Sequence, residues 1–191
     1  LGLALFSIAV WAGTRQTRSG TLFWWLGLLA LSFAIRSCHV FFSAVGFSHI
    51  RLIYLLEDTG AFFNILCILK ITLHLTGRSD TTWGKLVFWI GIYGVVAGAV
   101  FPTLILPALP AFVPIYGSLV FWYKAGTSLA VVGMALGQKR LDRDFLWILI
   151  PGEIHAVSLL ARVFALPSYE PAYTAWPDEY GAFALVLCFA V

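Results

Sequence analysis

Six ionisable residues, Arg36, Glu57, Asp58, Lys124, Glu153 and Arg162, stand inside stretches otherwise apolar enough to cross a bilayer. A charge at membrane depth costs about 2.5–3.5 kcal/mol on insertion scales, and as a rule it is paired and turned inward. Three chemistries suit such groups: an ion pair that sets helix register, recognition of a polar ligand, and proton transfer by a buried carboxyl.

Their spacing is helical. Ser32, Arg36, His39 and Ser43 step by four, three and four, which lines one face of a helix. Glu57, Gly60, Ala61, Asn64 and Cys67 make a second stripe of small and polar residues. Pro151, His155, Ser158 and Arg162 make a third. At about 1.5 Å per residue, Arg36, Glu57, Asp58 and Arg162 fall in the outer half of the membrane. Lys124 and Glu153 fall near its midplane and are natural partners. Glu153 is about 180° around its helix from Arg162, at roughly 100° per residue, so that helix is polar on two sides. Pro151-Gly152 predicts a kink beside Glu153 and His155. The candidate ligand or switch residues are therefore Arg36, His39, Glu57, Asp58, Asn64, Lys124, Glu153, His155 and Arg162. Lys70 and His74, near a helix end, are expected to reach the interface.

The elements that must hold these residues are membrane helices. The chain is 61% hydrophobic and 11% charged, with mean hydropathy +0.92. Soluble domains carry about 25% charged residues. Seven apolar stretches stand out, over about 1–14, 22–47, 50–75, 86–106, 112–137, 145–166 and 181–191, and none has strand periodicity. The expected fold is an all-α integral membrane protein, a seven-helix transmembrane bundle. Its first and last helices read as truncated, with a further cytoplasmic domain expected after residue 191.

Alternate connections differ in charge. Seven basic residues, Arg15, Arg18, Arg78, Lys85, Lys139, Arg140 and Arg143, fall on one side, and Glu170, Asp178 and Glu179 on the other. By the positive-inside rule the N-terminus is outside and the C-terminus cytoplasmic, in a cell (inner) membrane. Gly94-x-x-x-Gly98 and Gly133-x-x-x-Gly137 allow close helix approach and are compatible with a homodimer through helix packing. The formal charge of +3 is small and scattered, which excludes a nucleic-acid partner. Cys38, Cys67 and Cys188 sit singly in apolar runs and read as packing residues.

Catalytic signatures are missing. The chain has no H-E-x-x-H, no G-x-S-x-G, no phosphate-binding loop and no Cys/His set at metal spacing, so neither metal nor cofactor is expected. Microbial rhodopsins share seven helices and an outside N-terminus, but their retinal lysine belongs to the last helix, which reads as truncated here before any Lys, and the arginine–aspartate–tryptophan pattern of their third helix is missing.

Residues 17–78 begin TRSGTLFWWLGLLALSFAIR and close on FFNILCILKITLHLTGR. This segment resembles the multi-pass N-terminal input regions of bacterial diguanylate cyclases and sensor histidine kinases. It shares their basic turn, the Trp-led helix ending in Arg and the following helix ending in a Gly-Arg turn. The stretch KRLDRDFLW with Arg162 echoes the pattern, so a duplication relating the second and sixth spans is expected. The resemblance implies a sensor module relaying a signal to a cytoplasmic output domain, with the bilayer and a small-molecule or lipid ligand as partners. Two competing expectations stand beside it. One is an integral-membrane enzyme on a lipid or isoprenoid, cyclase-like, with Glu57, Asp58 or Glu153 as acids. The other is a small transporter with its site at Lys124 and Glu153.

Overall fold

A computed structural model describes residues 2–44, 50–105 and 108–137, and these residues are all helical or turn, with no strand among them. The five α-helices are α1 (Gly2–Thr14), α2 (Arg18–Ala44), α3 (Ile50–Leu75), α4 (Thr82–Val100) and α5 (Val113–Leu136). A five-residue π-helical turn, Phe101–Ile105, continues α4, and a 3₁₀ turn, Pro110–Phe112, leads into α5. The sixth and seventh stretches read from the sequence lie outside the described residues.

Helices α2 and α3 share the most extensive contact, and α1 packs on α2 and α4 on α3. The core runs along α3, with Leu69, Leu73 and Cys67 at zero exposure, and is joined by Leu29 of α2 and by Val131 and Met134 of α5. Outside this core, many large apolar side chains among the described residues are exposed. On α4 the buried positions are Gly84, Val87, Gly91, Gly94 and Gly98, while Trp89, Tyr93 and Val96 face outward. The helix turns its small side chains in and its large ones out.

Each interior glycine of α4 receives a neighbour. A methyl group at Gly91 would lie 2.7 Å from Leu66 Cδ1; at Gly94 it would overlap the Tyr123 ring, and at Gly98 the Phe62 ring. Small residues thus let α3 and α5 approach the α4 backbone, the means by which helices pack where no hydrophobic difference drives them together.

The two connections at one end are built alike. Thr17 Oγ1 donates to the Thr14 carbonyl (2.8 Å) and accepts from Gly20 N–H (3.0 Å). Thr81 Oγ1 donates to the Arg78 carbonyl (2.7 Å) and accepts from Gly84 N–H (3.0 Å). In both, the glycine presses on the carbonyl that the threonine holds, Thr14 O or Arg78 O, so a Cβ would overlap it. The equivalence continues into the helices as Thr-x-x-Gly-x-Leu-x-x-Trp-x-Gly, at Thr17–Gly27 and again sixty-four residues later at Thr81–Gly91. The hairpins α1–α2 and α3–α4 are therefore an internal repeat. The expected duplication of the second and sixth spans involves residues outside the described set.

Helix α3 ends on a Schellman turn. Gly77 has φ 67°, Arg78 N–H donates to the Leu73 carbonyl (2.8 Å) and Gly77 N–H to the His74 carbonyl (3.1 Å). At the far end of α4, Pro102 has no N–H to continue the ladder and the helix widens into its π turn. Thr103 Oγ1 takes up the Ala99 carbonyl there at 2.7 Å.

Among the described residues one helix, Thr82–Ile105, is long and apolar enough to cross a membrane, and 18% of its most apolar window is buried. Helices α2 and α3 run for 27 and 26 residues, with apolar stretches at Gly20–Ile35 and Thr59–Leu75 among their described residues.

Candidate functional site

Arg36 and His39 lie on α2, Glu57, Asp58 and Asn64 on α3, and Lys124 on α5. Glu153, His155 and Arg162 lie outside the described residues. The helix positions of the first group follow one rule. Seven residues make nearly two full turns, so residues seven apart share a face. Arg36 is seven from Leu29 and His39 seven from Ser32, both at zero exposure. Glu57 is seven from Asn64 and Asp58 seven from Ile65, at 2% and 8%. Lys124 is seven from Val131, at 6%. Each ionisable position thus occupies a helix face that is buried two turns away.

Helices α2 and α3 are in extensive contact. Arg36 is eight residues before the end of α2, and Asp58 is eight residues after the start of α3, about 12 Å of helical rise in each case.

Asn64 carries the chemistry that the structure shows directly. It is 2% exposed, and neither its amide nitrogen nor its amide oxygen has a hydrogen-bond partner. Thr59 Oγ1, one and a half turns earlier on α3, is also buried and unpaired. Neighbouring hydroxyls satisfy themselves on their own helices. Ser32 Oγ donates to the Leu29 carbonyl (2.7 Å), and Thr72 Oγ1 to the Ile68 carbonyl (2.8 Å). An unpaired buried donor or acceptor costs about 1–3 kcal/mol, so Asn64 is an expensive residue to keep at this position. Its amide offers two donors and an acceptor to whatever polar group enters.

Lys70 has a partner that spacing did not suggest: its Nζ stands 4.7 Å from the centroid of the Phe88 ring on α4. Cys67 is a free, fully buried thiol packed in the core. Among the described residues no three His, Cys, Asp or Glu side chains cluster closely enough to hold a metal ion. Tyr123 is a tertiary strut. Its ring lies 5.1 Å from that of Phe62, and its hydroxyl donates to the Gly91 carbonyl at 3.4 Å.

Sequence reasoning missed the Thr-x-x-Gly turns, whose signal was the sixty-four-residue repeat itself. Comparison with known proteins finds no matching family model, no similar curated protein and no similar solved structure.

Proposed function

We propose that this chain is a membrane-embedded sensor domain that relays a signal to a cytoplasmic output domain. It spans an inner membrane several times, with the N-terminus outside and the basic turns of Arg15, Arg18, Arg78 and Lys85 on the cytoplasmic side. The apolar exterior of α4 and α5 supports the bilayer as solvent. The resemblance of residues 17–78 to bacterial sensor input regions supports the class.

The observation that carries the reading is Asn64, a buried amide with both ends unpaired, on the same helix as Glu57 and Asp58. A small polar ligand, or an altered packing of α2 on α3, would satisfy that amide in one state and not in the other. Such differential interaction is what a signal needs in order to shift a two-state equilibrium.

The internal repeat favours a functional role for the polar residues. α4 begins with the same turn as α2, yet carries Val96 and Val100 where α2 carries Ser32 and Arg36. The scaffold is made without them.

The test uses the full-length protein in its native membrane, reading the activity of its cytoplasmic output. Replacing Asn64 by Leu keeps the volume and removes the unpaired amide. The expected result is a domain at least as stable as wild type whose output no longer changes with stimulus. An output that responds normally in the Leu variant, or a full reading frame with no cytoplasmic domain, sinks the reading.

A further inference from the structure

Lys70 brings a positive charge to a place where three helices meet. Its Nζ stands 4.7 Å from the centroid of the Phe88 ring on α4. Trp25 of α2 meets the same ring edge to face, with centroids 5.8 Å apart and planes at 85°. All three side chains are half-buried. Lys70 is five residues before the end of α3 and Phe88 six after the start of α4, so each lies about 8–9 Å of helical rise from the turn between them.

An ammonium group carries three donors and no acceptor, and a ring face takes its charge from one side only. Among the described residues Lys70 has no carboxylate partner. The charge nearest to it in helix position has the same sign: Lys85, one turn before Phe88 on α4, is exposed. Arg78 lies in the turn between α3 and α4, against a single acid there, Asp80. From Lys85 an apolar stripe runs away from the turn. Trp89 is four residues on and Val96 seven more, at 64% and 54% exposure.

We infer that this junction of α2, α3 and α4 holds the phosphodiester headgroup of an anionic phospholipid, with Lys70 and Lys85 on the phosphate and the acyl chains along Trp89 and Val96. Basic clefts between membrane helices on the cytoplasmic side suit such headgroups. A free phosphate would use the amines and leave the apolar stripe unused. A zwitterionic headgroup would set its own cation against the two lysines. The inference rests on the membrane reading of the chain and does not depend on signalling.

Native mass spectrometry and thermal unfolding test it on full-length protein, delipidated in a neutral detergent and given phosphatidylglycerol, phosphatidylcholine or inorganic phosphate at equal concentration. A phosphatidylglycerol molecule is expected to stay bound to each chain and to raise the thermal midpoint, and the other two to do neither. Lys70→Gln should weaken that binding by about tenfold, the scale of one charge-assisted hydrogen bond, and Lys70→Arg should restore it. Lys85→Gln, at an exposed position outside the packing, should weaken it as well. Arg15→Gln, in the turn after α1, should leave it unchanged, which separates a site from the diffuse attraction that every basic residue shares. Each variant is compared with its own lipid-free form, so a change in folding stability alone does not move the result.

Any of three results overturns the inference: equal losses in Lys70→Gln and Arg15→Gln, no loss in Lys70→Gln or in Lys85→Gln, or the same midpoint rise with inorganic phosphate. A protein that stays in solution without detergent loses the membrane reading itself. One that needs detergent and retains no phosphatidylglycerol loses this site alone.

Discussion

The ring of Tyr123 on α5 occupies the notch that Gly94 leaves on α4, and its hydroxyl reaches one turn back to the Gly91 carbonyl at 3.4 Å. The two halves of this contact differ in worth. A side chain at Gly94 must displace an aromatic ring, which as overpacking costs about 1–3 kcal/mol. The hydrogen bond is long, and its loss costs about 0.5 kcal/mol, the low end for such bonds. Gly94→Ala should therefore destabilise the folded domain clearly more than Tyr123→Phe, as measured by thermal or denaturant unfolding in detergent. Equal effects would mean the hydroxyl, not the ring, fixes α5.

The twin turns predict matched losses. Thr17→Ala and Thr81→Ala each remove a helix cap worth about 1 kcal/mol. Serine at either position should restore most of it, since the hydroxyl alone makes both bonds. Gly84→Ala sets a methyl group against the Arg78 carbonyl, which is backbone and held by Thr81, so it should cost more than the loss of the cap. Unfolding of the five variants side by side checks the order.

Asn64 gives the opposite sign. Removing an unpaired amide from the interior should raise stability by about 1–3 kcal/mol in Asn64→Leu. A variant of that kind that unfolds more easily than wild type would show that the amide is satisfied in the membrane and structural after all.

Arg78 predicts a salt dependence. Its Nη2 stands 3.6 Å from where a Cβ would lie on Gly137, at the C-terminal end of α5, which has no basic residue in its own last turn. A cation there complements the helix dipole by about 0.3–1 kcal/mol at low ionic strength. Arg78→Gln should lose that amount at low salt and much less in about 1 M salt, where the screening length falls to roughly 3 Å. Loss independent of salt would point to packing by the arginine stem.

Much of the helical framework was legible in the sequence because apolar runs and turn residues mark it. Helix α3 occupies the stretch read for it, bounded by Gly77 at its end. The starts of α2 and α4 were read four residues late, at 22 and 86, where apolar residues begin. The helices in fact begin at their threonine caps, inside the polar turns. The π turn after Val100 has no periodic signature; Pro102 was its one visible mark. The candidate site was half legible. Polar spacing picked out Asn64, but its lack of partners is a property of packing and cannot be read from spacing. The pairing expected between Lys124 and Glu153 involves a residue outside the described set.

The π turn at Phe101–Ile105 has a mechanical consequence. Its carbonyls are bonded five residues on rather than four, so that level of the helix holds one residue more than an α turn would. Taking up that residue would lengthen the helix by about 1.5 Å and rotate everything beyond it by about 100°. Phe101 is stacked on Tyr116 at 5.5 Å, which links this level to the first turn of α5. The end of α4 thus holds slack, as a ratchet holds a tooth in reserve, and it sits beside the first turn of α5.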